Sequence, residues 1–168
     1  MSTLAVLYLV IPFPIAFIAY SAEKVIMQHR WMLAHKESLV QRFPKIRPMI
    51  EKLAQRSTKV FATTALVELM VILLATAYVL QQGAYSLELW SALFIAFSVY
   101  LLVHVGEAIG VRGYVPGLVS SLLLLPFAGF GMWSIWLAMS GWEMVMWGII
   151  GGCVKIAIWM LPLKEHHN

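Results

Sequence analysis

Five long apolar stretches dominate this sequence and limit the folds that are open to it. They cover residues 4–22, 60–80, 87–109, 115–139 and 143–161. About 20 apolar residues in a helix span the hydrocarbon core of a bilayer. A soluble domain of 168 residues, 61% of them hydrophobic, could not bury this much apolar surface. The sequence therefore predicts an all-α, polytopic membrane helix bundle that forms one integral membrane domain over residues 1–168.

The cationic residues are concentrated between the first two apolar stretches. Nine of the 12 Lys and Arg residues lie within residues 24–59, whereas the short link 81–86 has none. Cytoplasmic loops carry an excess of Lys and Arg, so this pattern predicts an N-terminus outside and a C-terminus inside. The same rule accounts for the net charge of +4 without a nucleic-acid partner and leaves the lipid bilayer as the expected partner.

The basic segment 24–59 also has a helical pattern. Its apolar residues recur at near-helical spacing on either side of Pro44, which predicts a cytoplasmic amphipathic helical hairpin. Pro48 suits the first turn of the second helix, which we expect to run without a break into the next span.

Proline and glycine predict irregularities inside the spans. Bends or breaks are expected at Pro12 and Pro14 in the first span, and at Pro126, Gly129 and Gly131 in the fourth. Gly148 and Gly152 are four residues apart in the fifth span, a spacing that lets helix backbones approach closely. This pair predicts tight packing within the bundle, with a homodimer as the alternative.

Four ionisable residues lie within or at the ends of the spans. His104 and Glu107 are three residues apart and share a helix face. Glu68 lies inside the second span, and Glu23 ends the first. Ionisable groups in a membrane are costly, and each is therefore a candidate functional residue. One imidazole and three carboxylates could bind a divalent transition metal, such as zinc, iron or manganese, or act as acid–base groups.

Each of these residues also has a simpler interpretation as part of an ion pair. Glu23 could pair with Lys24 or Arg30, Glu107 with Arg112, and Glu68 with His104. Lys155 could pair with Glu68 or Glu107, or its side chain could extend to the interface. His104 could instead be a neutral imidazole bonded to a backbone carbonyl or a hydroxyl. The sequence contains no Gly-x-Ser-x-Gly or His-Glu-x-x-His motif and no Asp at all, so hydrolytic triads and zinc-protease chemistry are not indicated.

Two segments and one histidine carry a family resemblance. Tyr20-Ser21-Ala22-Glu23-Lys24, then His104, then Arg112-Gly113-Tyr114-Val115-Pro116-Gly117-Leu118-Val119 resemble the HXXEE-domain family of small bacterial membrane proteins over roughly residues 5–130. The resemblance implies a multi-span protein of the bacterial inner membrane, with His and Glu gathered at helix ends as in a metal site, and no settled activity. Tyr20 stands where the motif has its His, and Lys24 where it has its second Glu.

Three functions remain open from the sequence. The chain could be an intramembrane enzyme or metal-binding protein that uses Glu23, Glu68, His104 and Glu107. It could be a small proton-coupled transporter in which Glu68 and His104 titrate. It could also be a structural or accessory subunit that binds a membrane-protein partner or a second copy of itself, with polar groups that only set the helix register.

Overall fold

The computed structural model describes residues 6–160, with side chains from Tyr8 onward. The described part contains six α-helices, namely α1 (Pro12–Arg42), α2 (Arg47–Gln55), α3 (Thr58–Leu80), α4 (Ser86–Val111), α5 (Leu118–Ala138) and α6 (Gly141–Met160). A π-helical turn at Val6–Val10 precedes α1, and a 3-10 turn at Pro44–Ile46 joins α1 to α2. The all-α fold is confirmed, and five helices are long and apolar enough to cross a membrane. The outermost predicted span residues, 4, 5 and 161, lie outside the described residues.

The first span and the first amphipathic helix form one continuous helix. We predicted a span over 4–22 followed by a separate helix, but α1 runs for 31 residues to Arg42. The change from apolar to charged residues after Ala22 marks a change of environment, and it brings no helix-breaking residue. Pro12 and Pro14 lie in the first turn of α1, where a missing N–H costs nothing. The irregular winding expected at these prolines is present just before them, as the π-helical turn Val6–Val10.

The second amphipathic helix does not run into the next span as predicted. It ends at Gln55, and Arg56 is extended, with φ −69° and ψ 124°. The Ser57 side chain then caps α3 by accepting a hydrogen bond from the Val60 N–H at 3.4 Å. Serine at this position stabilises the first turn of a helix, so a new helix begins here.

The fourth span begins at Leu118, three residues later than predicted. Gly117 has φ +93°, a left-handed conformation that ends the preceding turn and that glycine adopts without strain. Pro126 lies within α5, and the helix continues through it without the predicted break. Membrane bundles tolerate such prolines because neighbouring groups satisfy the freed backbone carbonyl. The fifth span starts at Gly141, two residues earlier than expected.

Helix α4 lies at the centre of the bundle and contacts each of the other four long helices. Its Trp90 and Phe94 are fully buried against Phe13 of α1, with ring centroids 5.6 and 5.1 Å away in edge-on geometry. Such pairs add to the burial energy of the rings themselves. The aromatic core therefore holds α1 against α4 and sets the register of the residues beyond it.

The close approach of α6 to α4 occurs at Gly151. A Cβ there would collide with the Ala92 carbonyl, and a Cβ on Gly148 would lie 3.1 Å from the Ile95 side chain. A Cβ on Gly152 would meet nothing within 4 Å. The predicted glycine packing thus exists within the chain, but its second member is Gly151 and not Gly152.

Candidate functional site

A buried hydrogen-bonded chain links α1 to α4. The His104 imidazole is 3% exposed, and both of its ring nitrogens are bonded. Its Nε2 lies 2.7 Å from the Tyr20 hydroxyl, and its Nδ1 lies 2.7 Å from Glu107 Oε2. Tyr20 is itself 2% exposed, whereas the Glu107 side chain is half exposed. The sequence placed His104 and Glu107 on one helix face, and the structure joins them directly by a hydrogen bond and adds the Tyr20 phenol on the other side of the ring.

The bonding partners decide which ring nitrogen carries the proton. An ionised carboxylate only accepts hydrogen bonds, so the Nδ1–H of His104 must donate to Glu107. Nε2 of the neutral ring is then an acceptor, and the Tyr20 hydroxyl donates to it. The chain runs in one direction, from the Tyr20 hydroxyl through the imidazole to the carboxylate.

Lys24 lies one helical turn after Tyr20 and contacts the same group of side chains. Its Nζ donates to the Tyr100 hydroxyl at 3.0 Å, and it is 3.5 Å from both the Tyr20 hydroxyl and His104 Nε2. The ammonium also lies 4.5 Å from the centre of the Tyr100 ring, a cation–π distance. Among the side chains that the structure describes, Lys24 has no carboxylate partner.

Glu68 and Lys155 form an ion pair between α3 and α6. Lys155 Nζ donates to Glu68 Oε2 at 2.7 Å, and the two side chains are 13% and 19% exposed for Glu68 and Lys155 respectively. Lys155 also lies 4.3 Å from the centre of the Tyr100 ring. Of the alternatives open from the sequence, Glu68 therefore pairs with Lys155 and not with His104.

Glu23 binds the first turn of α5. Its carboxylate accepts hydrogen bonds from the Ser120 N–H at 2.8 Å, the Ser120 hydroxyl at 2.6 Å and the Tyr114 hydroxyl at 2.7 Å. The first N–H groups of a helix lack partners within the helix, and the positive end of its dipole favours a carboxylate. Burial, together with the bonded Glu23 carboxylate, raises the pKa of Tyr114 to about 12. Glu23 thus links α1 to the start of α5 by hydrogen bonds and does not pair with Lys24.

A cleft of about 810 Å³ opens beside these groups. Its walls come from α1, α2, α3, α4 and α6, with contributions from the end of α5. At one end lie the polar residues Tyr20, Lys24, Arg56, Glu68, Tyr100, His104, Glu107 and Lys155. At the other end the lining is apolar and includes Met132, Trp136 and Met144. The cleft therefore has a polar end and an apolar end.

The four predicted metal ligands do not form one cluster. His104 and Glu107 are in contact, but Glu68 is held by Lys155 and Glu23 by α5. Within residues 8–160 no three His, Cys, Asp or Glu side chains are grouped so as to hold a metal ion. Arg112 ends α4 in a left-handed conformation with φ 58°, and the residue is exposed.

Sequence reasoning missed two residues of the site. Tyr100 precedes His104 by four residues, so the helical repeat could have placed it on the same face. Arg56 is only 6% exposed, unlike the exposed cations around it in the basic segment. Nothing in the local sequence distinguishes it, because its burial depends on Trp159 of α6.

The five apolar helices indicate a polytopic membrane protein with lipid contact along its outer surface, and ionisable side chains lie inside its bundle. The chain belongs to the family described as "Protein of unknown function with HXXEE motif", which matches residues 11–131. No curated protein and no solved structure matches this chain. The matched region includes Tyr20, Lys24, His104 and Glu107 and ends before α6.

Tyr20 and Lys24 both lie near one atom, His104 Nε2. Residues 20 and 24 stand where the resemblance puts the motif's His and second Glu. Their polar atoms lie 2.7 and 3.5 Å from His104 Nε2. In this chain a phenol and an ammonium group occupy those places.

Proposed function

We propose that this chain is an integral membrane protein with an intramembrane acid–base site formed by Glu107, His104 and Tyr20, with Lys24 beside them. The observation that carries the proposal is the continuous hydrogen-bonded chain from the Tyr20 hydroxyl to Glu107, in the wall of a large cleft. Ionisable groups in a membrane bundle are costly, and here several are gathered at one place. The arrangement suits proton transfer to or from a molecule in the cleft.

The roles follow from the order of the groups. His104 can accept the Tyr20 proton at Nε2, since Glu107 at Nδ1 stabilises the imidazolium that forms. The tyrosinate that remains would lie next to the Lys24 ammonium, 3.5 Å away. An oriented carboxylate, an imidazole and a hydroxyl play the same roles in nucleophilic triads on unrelated folds. Tyr20 would serve as the reactive hydroxyl, and Lys24 would stabilise its anion.

The acid–base proposal fits these residues better than the predicted metal site. Both His104 nitrogens already have protein partners, and a cationic Lys24 beside Nε2 would repel a metal ion. Zinc sites need at least three protein ligands around one point. The two remaining predicted ligands, Glu23 and Glu68, are bonded to other helices.

A structural or accessory role is the second candidate, and one observation favours it. The Glu68–Lys155 pair joins α3 to α6, and Glu23 joins α1 to α5, so these polar groups hold helices in register. If Tyr20 and His104 act only in this way, the Tyr20 hydroxyl should have no unusual reactivity.

The test that separates the two roles is labelling with a lipophilic aryl sulfonyl fluoride, a reagent that reacts with activated tyrosines. We expect labelling of Tyr20 in the purified chain at neutral pH, and loss of that labelling in His104→Gln. Tyr8 and Tyr85 are 61% and 71% exposed and serve as internal controls. If they react faster than Tyr20, or if Tyr20 labelling is unchanged in His104→Gln, the acid–base proposal is wrong.

A second measurement examines the bonding of the ring directly. Nitrogen-15 NMR of the chain labelled at its five histidines, with His104→Gln for assignment, reports the tautomer of each ring. We expect the Nδ1–H form of His104 and a changed Nε2 signal in Tyr20→Phe. A protonated Nε2 in the neutral ring would contradict the proposed direction of proton transfer.

We also propose that the chain lies in the bacterial inner membrane with its N-terminus outside and the site toward the cytoplasm. The charge distribution supports this orientation. Gln82→Cys, in a background where the exposed Cys153 is replaced by Ser, should react with an impermeant thiol reagent added outside whole cells. If the cysteine at position 82 reacts only after the reagent is given access to the cytoplasm, the proposed topology is the reverse of the true one.

A further inference from the structure

Two cations in the polar end of the cleft lack an anionic partner. Five charged residues line the cleft, namely Lys24, Arg56, Glu68, Glu107 and Lys155. Both carboxylates are held by protein groups, Glu68 by Lys155 and Glu107 by His104. Among the described side chains, Lys24 and Arg56 have no carboxylate within ion-pair distance. Buried charges are normally paired, so this end of the cleft is left with unbalanced positive charge.

Arg56 is the more informative of the two cations because it is nearly enclosed. Its guanidinium lies 3.9 Å from the centre of the Trp159 ring and donates one hydrogen bond, to the Trp159 carbonyl at 3.3 Å. A guanidinium has five N–H donors, so most of its donors have no acceptor among the described residues. Burial lowers the pKa of Arg56, yet an arginine remains charged under physiological conditions. A planar anion, such as a carboxylate or phosphate, matches the donors that remain.

The rest of the cleft is a long, mostly apolar groove. One face of α6 lines it from Gly141 to Trp159, with contacts three or four residues apart along the helix. This face is roughly 27 Å long, at 1.5 Å per residue. Gly148 and Gly152 keep its middle free of side chains, and Met144 and Ile149 make its far part apolar. The result is a long apolar channel that leads away from the two cations.

We propose that the cleft binds a single-chain anionic amphiphile, whose carboxylate or phosphate head contacts Arg56 and Lys24 and whose tail lies along the glycine-bearing face of α6. The cleft volume of about 810 Å³ lies within the range of pockets that bind one small ligand, which favours an amphiphile with a single chain. The proposal names the class of molecule on which the acid–base site would act, and in that respect it rests on the proposed function. The head would lie beside Tyr20, because the Lys24 Nζ that would bind it is 3.5 Å from the Tyr20 hydroxyl.

The test is a binding titration of the full chain in neutral detergent, in which native mass spectrometry detects the bound ligand. The probes are lysophosphatidic acid and lysophosphatidylcholine with the same acyl chain. The first has an anionic phosphate monoester as its head, whereas in the second the phosphate carries choline and the head has no net charge. We expect one molecule of lysophosphatidic acid to bind at least about tenfold more tightly, the effect of a charge-assisted contact. Equal affinities for the two probes would overturn the proposal.

Further probes identify which part of the amphiphile is recognised. Stearate, which has a carboxylate head, should compete with lysophosphatidic acid. Inorganic phosphate at equal concentration should not compete, because it lacks a tail. Displacement by phosphate alone would mean that the site binds a free anion, and the amphiphile proposal would then be wrong.

Two pairs of variants assign the head and the tail to the cleft. Arg56→Gln should weaken binding of lysophosphatidic acid about tenfold, whereas Arg30→Gln removes an exposed cation from the same basic segment and should not. Gly152→Leu would fill the channel, because a Cβ there meets nothing within 4 Å and its side chain enters open space. Gly129→Leu is the control, since it has equal room but lies outside the cleft. An equal loss in Arg30→Gln and Arg56→Gln, or unchanged binding in Gly152→Leu, would refute the proposal.

Failure of this proposal can be distinguished from failure of the proposed function. The headgroup preference is measured on the unaltered chain and does not depend on the tautomer of His104. If the chain shows the expected tautomer of His104 and a reactive Tyr20 but no headgroup preference, the acid–base proposal stands and the amphiphile proposal is wrong. If Arg56→Gln fails to fold, Lys24→Gln and Gly152→Leu still test the head and the tail.

Discussion

Removing one partner of the Glu68–Lys155 pair should destabilise the bundle more than removing both. The two side chains lie between α3 and α6, both more than four-fifths buried, with a 2.7 Å contact between Nζ and Oε2. The perturbations are Glu68→Gln, Lys155→Met and the double variant, which together form a thermodynamic cycle. The cycle isolates the interaction between the two side chains from the other effects of each substitution.

The expected size of the coupling follows from the geometry. At an effective dielectric constant of ~20, two unit charges 2.7 Å apart attract by about 6 kcal/mol. Desolvation of both ions offsets much of this, and removal of one partner of a buried pair typically costs about 3–5 kcal/mol. Lys155→Met should therefore lower the free energy of unfolding by about 3 kcal/mol or more. The double variant should lose roughly 1 kcal/mol, since no unpaired charge remains.

The free energy of unfolding can be measured by titrating the detergent-solubilised chain with a denaturing detergent and following far-UV circular dichroism. Arg47→Gln with Glu51→Gln is the control cycle, because that ion pair on α2 is exposed to solvent and should show little or no coupling. We expect a coupling of about 2 kcal/mol or more for Glu68 with Lys155. Single-variant losses that add up to that of the double variant, within about 0.5 kcal/mol, would refute the pairing.

Three further predictions follow from the packing and the polar contacts. Tyr114 has a pKa of about 12 in the folded chain, against an ordinary value near 10, so its contribution to stability is present below pH 10 and is lost between pH 10 and 12. Tyr114→Phe should remove this part of the pH dependence of the free energy of unfolding. An unchanged pH profile in the variant would contradict the contact with Glu23. Gly151→Ala should lower the free energy of unfolding by about 1–3 kcal/mol, because its Cβ would collide with the Ala92 carbonyl. Gly152→Ala is the control and should not lower it, since its Cβ meets nothing within 4 Å. Similar effects of the two substitutions would show that α6 does not approach α4 most closely at Gly151. The double substitution Tyr20→His with Lys24→Glu places a His and a Glu near His104 Nε2, where the resemblance puts them, and elemental analysis should then find about one equivalent of a transition metal more than in the unaltered chain. Absence of metal in a folded double variant would mean that these three positions do not form a metal site.

Much of the fold follows from local patterns in the sequence. The apolar stretches predict the spans because a bilayer requires about 20 apolar residues per crossing, wherever the helices pack. The sequence also placed His104 and Glu107 on one helix face, because residues three apart lie near each other whatever surrounds them, although it did not single out their hydrogen bond. The predicted end of the first helix was wrong for a related reason. A change from apolar to charged residues reports where the environment changes, and α1 continues through that change to Arg42.

The composition of the candidate site depended on contacts between distant parts of the chain. Tyr20 and His104 are 84 residues apart, and Glu68 and Lys155 are 87 apart, so no local pattern could join them. The sequence listed several partners for each carboxylate, and the packing of α1, α3 and α6 around α4 selected one. The sequence by itself determined which segments are helices and which residues are costly to bury. Only the tertiary structure decided which of those residues meet, because that depends on how the aromatic core and Gly151 set the positions of the helices.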